Sequence, residues 1–131
     1  MLFIKAINGY IIGLLHFRRF QVVMECYFMV FWGIIKVLTI STTAAVTINE
    51  NADPDVPHDV GLSLSLISPN RREFRHGEGN SAAHTKTSLV GPSITLIVSG
   101  GKLLLGTWQG IWFNEYDGPR TRKVHVRVMG E

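Results

Sequence analysis

Short apolar runs that alternate with polar residues dominate the C-terminal third of the chain. Alternation is clearest over residues 94–98 and 124–128, and Gly100-Gly101 follows the first of these runs. A period of two predicts strands that are buried on one face, and paired glycines predict a hairpin turn. We therefore predict strands at these two places, over 103–108 after the hairpin, and over 111–116.

The middle of the chain shows helical spacing instead. Asp53 followed by Pro54 has the order of a capping residue and a first helical residue. Apolar residues then recur at every fourth position from Val56 to Leu64, which predicts an amphipathic helix over residues 54–67. The Ser-Pro-Asn segment that follows is expected to end this helix.

A second, shorter helix is predicted ahead of Gly91-Pro92. Asn80 or Ser81 would cap its N-terminus, and the helix would run towards Leu89. Residues 34–48 are rich in valine, isoleucine and threonine, which is typical of strands. The predicted fold class is therefore α+β, with a mixed or mainly antiparallel sheet and a few helices packed on it.

The first forty residues have a different pattern. Met1–Phe17 is apolar, and a second apolar run, Cys26–Ile35, lies between Glu25 and Lys36. This run is only about half of the roughly 20 residues that a membrane-spanning helix needs, so no transmembrane helix is predicted. No small-residue cleavage site supports a signal peptide. Buried strands, with or without a helix, are the favoured interpretation, and a membrane-associated segment or an altered leader are the alternatives.

Composition narrows the class of protein. A chain of 131 residues with 46% hydrophobic and 18% charged residues is globular and has the length of a single domain. Its single cysteine, Cys26, excludes an internal disulfide and a multi-cysteine zinc site, and it favours a cytoplasmic location. The net charge of +3 is compatible with an anionic small molecule. No nucleic-acid partner and no membrane association are predicted.

Chemically capable side chains are concentrated between His76 and Lys86. His76, Glu78 and His84 are ligand types for zinc or another divalent ion, and a catalytic site needs about three protein ligands. Their spacing matches no standard zinc motif, and hydrogen-bonded histidines without a metal are the alternative. Two residues of the preceding helix could add a ligand: His58 and Asp59.

Cations near the second predicted helix indicate an anionic ligand. Lys86, Arg120 and Arg122 are available, and free N–H groups at a helix N-terminus also favour an anion. Arginine pairs bidentately with phosphate, and lysine acts as a point charge. A solvated strand face is the alternative interpretation of the two arginines. The chain contains neither a P-loop nor a dinucleotide-binding glycine motif.

Two tryptophans flank a Gln-Gly pair near the C-terminus. Trp108 and Gln109 at a strand end could contact a ring-shaped ligand by stacking and by amide hydrogen bonds. Trp112 is expected to belong to the core. No nucleophile elbow and no Ser-His-Asp order are present.

Four motifs together resemble the YjbQ-like family, whose members are often labelled secondary thiamine-phosphate synthase enzymes. These motifs are Thr42–Val56, His76–Lys86, Leu105–Ile111 and Glu115–Arg120. The resemblance covers residues 34–131 as a single YjbQ-like domain, and residues 1–33 form an atypical apolar N-terminal segment. It implies a compact α+β domain that assembles as a homotrimer through its sheets. It also implies an enzyme that couples a pyrimidine diphosphate with a thiazole phosphate.

The resemblance further implies roles for individual residues of a pocket that binds a phosphorylated small molecule. His76 and His84 would be ligands of a divalent metal, zinc or magnesium. The catalytic residues would be Glu78, His84 and Lys86. The substrate-binding residues would be Asn80, Trp108, Gln109, Glu115, Asp117 and Arg120.

One position departs from the family pattern, which has a histidine directly before the Thr-Thr pair. Here that position is Ser41. If the histidine is a third metal ligand, this chain has lost it, because a hydroxyl is a poor replacement for imidazole at zinc. Impaired activity is therefore expected. The alternative function is that of a non-catalytic homo-oligomeric protein that binds a metal or a small ligand.

Overall fold

The structure, a computed structural model, describes the backbone of residues 12–18, 21–27 and 30–131, and the side chains from Val30 onwards. Eight strands and two helices lie in these ranges. The strands are β1 (Ile12–Arg18), β2 (Gln21–Tyr27), β3 (Trp32–Thr39), β4 (Ala44–Glu50), β5 (Ser93–Ser99), β6 (Lys102–Leu103), β7 (Gln109–Glu115) and β8 (Val124–Gly130). The helices are α1 (Asp55–Ile67) and α2 (Ser81–Val90).

The strands form two antiparallel sheets of four strands each, and the predicted α+β class is confirmed. Sheet A has the order β1-β2-β7-β4, and sheet B has the order β6-β5-β3-β8. β3 ends at Thr39 and β4 starts at Ala44, which pairs with Glu115. We call this end of the sheets the site end. The opposite end, where Glu50 pairs with Gln109, is called the far end.

The core lies between the two sheets. Alternating apolar side chains of four strands meet there, and burying each one stabilises the fold by roughly 1.5–3 kcal/mol. These side chains are Ile35, Val37, Val46, Leu96, Val98 and Ile111. On β8 the residues Val124, Val126 and Val128 are half-buried and pack against this core, as their alternation predicted.

α2 packs on β4 and matches its predicted limits. Asn80 is its N-cap, and it ends at Gly91, whose positive φ of 100° favours glycine. Ala82 and Ala83 are buried on the inner side of this helix. The Gly91 carbonyl accepts a hydrogen bond of 3.1 Å from the Val46 N–H of β4. These contacts hold both ends of α2 against the fold: the buried alanines at its N-terminal end and the bond to β4 at its C-terminal end.

α1 confirms the predicted helix over residues 54–67. Its apolar side chains are buried much less than the amphipathic pattern predicts. No residue of α1 is buried, and Val56, Val60 and Leu64 are only half-buried. Leu62 and Leu66 are 54% and 74% exposed. The C-terminal end of α1 lies beside α2, because the Ser68 hydroxyl donates to the Ala82 carbonyl at 3.3 Å.

The predicted strand over residues 103–108 is wrong. β6 has only two residues, and the chain then turns, with the Gly106 N–H donating to the Gln109 side-chain oxygen at 2.8 Å. Leu104 and Trp108 are 60% and 63% exposed, whereas Leu103 and Leu105 are half-buried and pack against the core. Gln109 and Gly110, which lie between the strands predicted over 103–108 and 111–116, instead begin β7.

The predictions for the N-terminal region are only partly covered by the structure. β1 and β2 pair antiparallel, and β2 continues sheet A by pairing with β7, in line with the favoured interpretation of strands. Residues 1–11 lie outside the described residues. The predicted boundary between residues 33 and 34 falls inside β3, and the domain division stays a prediction. In the part of the chain that is described, no helix is both long and apolar enough to cross a membrane.

Two glycines provide a matched test of the packing of this fold. An added Cβ at Gly33 would overlap the Met129 carbonyl oxygen and lie 2.8 Å from the Gly130 Cα, whereas one at Gly61 meets nothing within 4 Å. We expect Gly33→Ala to lower the free energy of unfolding by about 1–3 kcal/mol. Gly61→Ala should raise it by about 0.5–1 kcal/mol, because alanine is the better helix former. Urea unfolding measures both, and equal effects would contradict the packing of β3 on β8.

Candidate functional site

The imidazole rings of His76 and His84 meet at the N-terminal end of α2. Their centroids are 5.2 Å apart, and their planes are inclined by 82°. The turn that precedes α2 brings them together, since the Gly79 N–H donates to the His76 carbonyl and the Asn80 carbonyl accepts from the His84 N–H. A positive φ of 72° at Gly79 makes this turn possible without strain.

This separation of the rings fits a shared metal ion. Two imidazoles that bind one tetrahedral zinc at about 2.0–2.1 Å have ring centroids about 5 Å apart. Among the described residues, no group of three or more His, Cys, Asp and Glu side chains is arranged to hold a metal. The exposed Glu78 carboxylate accepts a hydrogen bond of 3.3 Å from the Asn80 amide. The described part of the chain therefore brings two imidazoles together and holds a carboxylate in the same turn, without grouping the three.

Asn80 connects the histidine pair to the turn that follows β7. Its amide nitrogen donates to the Asp117 carboxylate at 2.8 Å, and the same carboxylate oxygen pairs with the Arg120 guanidinium at 2.8 Å. Arg120 also donates from Nε to the Asp117 carbonyl. Its side chain is 51% exposed, so part of the guanidinium faces solvent beside the site. The predicted site residues Asn80, Asp117 and Arg120 are thus brought together.

A second ion pair holds the base of the site. Arg122 forms a bidentate pair with Glu115, at 2.5 and 2.8 Å, and donates to the Thr43 hydroxyl at 2.7 Å. The side chains of Arg122 and Glu115 are only 15% and 14% exposed. The hydrogen bond to Glu115 raises the pKa of Arg122 above its usual value. Arg122 is therefore a structural cation, and its interpretations as a free anion ligand or as a solvated strand residue are both wrong.

Ser41 belongs to the same hydrogen-bonded network. Its hydroxyl oxygen accepts a bond of 3.1 Å from the Thr43 N–H, and the Thr43 carbonyl accepts from the Tyr116 N–H. Through Thr43, Ser41 is joined to Arg122. Sequence analysis did not identify Thr43 and Tyr116 as members of this network, because their contacts depend on pairing between β4 and β7.

Lys86 points away from the histidine pair. It follows His84 by two positions on α2, and such residues do not face each other on a helix. Its ammonium group instead donates to the Ser65 hydroxyl of α1 at 3.3 Å. His58 and Asp59, which could have added a ligand, form an exposed pair at 2.9 Å on α1. The structure groups neither of them with His76.

Trp108 and Gln109 lie at the far end of the molecule. Trp108 directly precedes β7, Gln109 begins this strand and Glu115 ends it, and the seven residues of the strand span about 20 Å. One chain therefore does not bring these two predicted ligand residues to the histidine pair. By contrast, Trp112 is 1% exposed, and its predicted place in the core is confirmed.

The buried phenol of Tyr116 is expected to make the free energy of unfolding fall as pH rises in the alkaline range. Burial raises its pKa from 10.0 to about 12, and its hydroxyl has no hydrogen-bond partner among the described residues. Between these values the unfolded chain loses a proton that the folded protein keeps, so stability falls as pH rises through this window. We expect Tyr116→Phe to flatten this fall in urea unfolding measured from pH 9 upwards. An unchanged pH dependence in the variant would contradict the assignment.

The fold and the site define an α+β domain of two antiparallel sheets with a histidine pair and a carboxylate–arginine network at one end. A family model described as "UPF0047 protein YjbQ-like" matches residues 22–131. The chain therefore belongs to the YjbQ-like UPF0047 family, and the resemblance seen in its motifs is confirmed. The matched range includes all four motifs.

Individual relatives agree with this assignment. The UPF0047 protein MJ1081 of Methanocaldococcus jannaschii is 54% identical over 99 residues, which cover 76% of this chain and 72% of that protein. A crystal structure of a YjbQ/UPF0047 family protein from Clostridium acetobutylicum is 52% identical, with a TM-score of 0.73 over 75% of this chain and 76% of that one. The hypothetical protein APE1520 of Aeropyrum pernix K1 is 28% identical, with a TM-score of 0.78 over 95% of this chain and 100% of that one.

Proposed function

We propose that the protein binds a divalent metal ion between His76 and His84 and a phosphorylated small molecule beside it. The observation that carries this proposal is the distance of 5.2 Å between the two ring centroids, which suits two imidazoles on one ion. Imidazole favours zinc, whereas magnesium prefers oxygen ligands. Glu78 follows His76 by two residues in the same turn and is the carboxylate we propose as an oxygen ligand or proton acceptor. It would have to move towards the rings, because the described residues include no group of three or more such ligands arranged to hold a metal.

Cations around the histidine pair support a phosphorylated ligand. The half-exposed guanidinium of Arg120 borders the site, and Arg75 directly precedes His76 in an exposed loop that also carries Arg71 and Arg72. Arginine binds phosphate oxygens bidentately. The free N–H groups at the start of α2 add a partial positive charge on the same side. A ligand with a phosphate or diphosphate group would therefore be attracted to this end of the molecule.

The reaction we propose is that implied by the family resemblance, the coupling step of a thiamine-phosphate synthase. The thiazole nitrogen would form a C–N bond with the exocyclic methylene of the pyrimidine, while the C–O bond breaks and its electrons leave with the diphosphate. Arg120 would stabilise the negative charge on the departing diphosphate. Lys86 is the second proposed cation, and it would have to leave Ser65 to reach that group. A bound metal would supply further charge stabilisation to the phosphate oxygens.

Binding without turnover is the second candidate function, and Ser41 supports it. Its hydroxyl already accepts the Thr43 N–H, and it is a weak ligand where the family pattern has an imidazole. A site with two histidines holds a metal less firmly than a site with three. In this case the protein would bind metal and ligand and would act as a non-catalytic homo-oligomer.

We also propose that the protein is a cytoplasmic homotrimer. An apolar row crosses the outer face of sheet B, where Ile34 pairs in register with Ile97 on one side and Met129 on the other. These side chains are 38%, 53% and 42% exposed. Contiguous apolar surface of this kind supports burial against another copy. The presence of a single cysteine supports a reducing compartment.

An assay of the coupling reaction distinguishes the two candidate functions. Purified protein is incubated with the pyrimidine diphosphate, the thiazole phosphate and Zn²⁺ or Mg²⁺, and thiamine phosphate is measured by chromatography. The enzyme proposal predicts metal-dependent product that His84→Ala abolishes. Equilibrium dialysis with the same metal and precursors is the parallel measurement. Binding without product supports the second function, and product that His84→Ala leaves unchanged contradicts the site.

A further inference from the structure

We propose that each ligand site is completed by a neighbouring copy of the chain, which places its Trp108 over the pair formed by His76 and His84. This inference rests on the homotrimer and the ligand site proposed above. It adds the identity of the residue that crosses between subunits. It also assigns a role to a tryptophan that a single subunit leaves exposed.

The distance between the two features within one chain is the first observation. Trp108 precedes β7 at the far end, and Asp117, which contacts Asn80, follows β7 at the site end. Seven residues of extended strand separate these ends by about 20 Å. β7 is paired along its length with β4, so it cannot shorten or bend to close this distance. If Trp108 contacts the histidine pair, it must belong to another copy.

The histidine pair has room for such a contact. The loop that carries His76 is exposed, and a Cβ added at Gly77 or at Gly79 would meet nothing within 4 Å. Trp108 is itself 63% exposed, which leaves most of a large apolar ring in water. Both surfaces are therefore open in a single subunit. Burying the ring over the pair would remove its apolar surface from water.

Charge favours the contact between these two ends. The loop after β4 is fixed beside Trp108 by the bond of 2.7 Å from the Asn51 N–H to the Trp108 carbonyl. It carries the exposed Asp53 and Asp55, and Glu50 lies at its start. At the site end, the exposed arginines of the loop before α2 outnumber its two carboxylates, Glu73 and Glu78. These arginines are Arg71, Arg72 and Arg75. Opposite charges on opposite ends steer copies into a head-to-tail arrangement.

A head-to-tail contact has a structural consequence. It joins two different surfaces, so a third copy can add in the same way until the ring closes. A closed ring of three would hold three equivalent sites, each with histidines from one copy and a tryptophan from the next. The indole would then form a stacking surface for a planar heteroaromatic ring held beside the metal. Gln109, whose side-chain oxygen is fixed by the Gly106 N–H, would present its amide nitrogen to the same ring.

Cross-linking between copies tests the proposal without any ligand. Two variants of different mass are made in a Cys26→Ser background, so that a heterodimer can be distinguished from a homodimer. One variant carries Trp108→Cys and the other carries Gly77→Cys. They are refolded together and treated with a bifunctional maleimide whose reach is shorter than β7. We expect a cross-linked heterodimer on a denaturing gel. The matched control replaces Gly77→Cys by Gly61→Cys, an equally unhindered position on α1, and should give none.

The outcomes separate this inference from the function proposed above. A trimer by light scattering that gives neither the 108–77 nor the 107–77 heterodimer overturns the shared site and leaves the trimer intact. A monomer overturns the trimer, and the shared site with it, while zinc binding can still be measured separately. Thr107→Cys is the second variant, because it is exposed and keeps the tryptophan in place. It should cross-link to Gly77→Cys as well, and failure of both pairs rejects the proposal.

Discussion

Arg122→Ala is expected to lower the free energy of unfolding by about 3 kcal/mol, in the range for breaking a buried ion pair. The substitution removes both hydrogen bonds to Glu115 and the one to Thr43. It leaves a carboxylate that is 86% buried without its cation, because the Glu115 side chain is only 14% exposed. Urea unfolding followed by circular dichroism measures the loss. The site end should loosen first, since this pair joins the start of β4 to the end of β7.

Arg120→Ala is the matched control for this prediction. Arg120 lies in the same loop and also pairs with a carboxylate, that of Asp117, but its side chain is 51% exposed. An exposed pair contributes about 1 kcal/mol or less because solvent screens it. A loss as large as that of Arg122→Ala would contradict the assignment of separate roles to the two arginines. Equal, small losses would show that the Arg122 pair is not buried in solution.

Ser41→His is expected to increase the affinity for zinc on the order of 100-fold. Zinc sites with four protein ligands bind with about 10–16 kcal/mol, or roughly 2.5–4 kcal/mol for each ligand. Since about 1.4 kcal/mol is a tenfold change in affinity, one added imidazole has an effect of this size. Ser41 is joined to the site end through Thr43, and the family resemblance implies a histidine at this position. Competition with a chromogenic zinc chelator measures the change.

Two neighbouring substitutions serve as controls for the added ligand. Ser41→Ala removes the hydroxyl without adding an imidazole and should leave zinc affinity nearly unchanged. Thr42→His places an imidazole on the adjacent residue, which is exposed, whereas Ser41 is half-buried. A gain in affinity with Thr42→His equal to that with Ser41→His would show non-specific binding. No gain with Ser41→His would contradict the idea that a metal ligand has been lost.

Local patterns predicted the elements well where they depend on near neighbours in sequence. α2 runs from Ser81 to Val90 with Asn80 as its N-cap, as its capping signals indicated. β5 and β8 follow directly from alternation, and α1 starts within one residue of its predicted position. The grouping of Asn80 with the histidines could also be predicted, because these residues lie in one loop and the helix that follows it.

Contacts between segments that are distant in sequence could not be predicted from the same patterns. The pairing of β4 with β7 fixes Trp108 at the far end, although its motif is continuous with the one that ends at Arg120. Helical geometry turns Lys86 away from His84, although both lie in one short motif. One local feature of the sequence indicated the bidentate pair of Arg122 with Glu115, because the two opposite charges lie on either side of a turn. Its burial depends on Thr43, 79 residues earlier in the chain.

The central claim is that His76 and His84 hold one divalent metal ion, and zinc titration tests it most directly. Metal-free protein is titrated by calorimetry alongside two variants, His84→Ala and His58→Ala. The second variant removes an exposed histidine that lies outside the site. If these two histidines hold the ion, we expect about one zinc per chain in the wild type and in His58→Ala, and none in His84→Ala. Equal zinc binding by all three proteins, or no binding by the wild type, would contradict it.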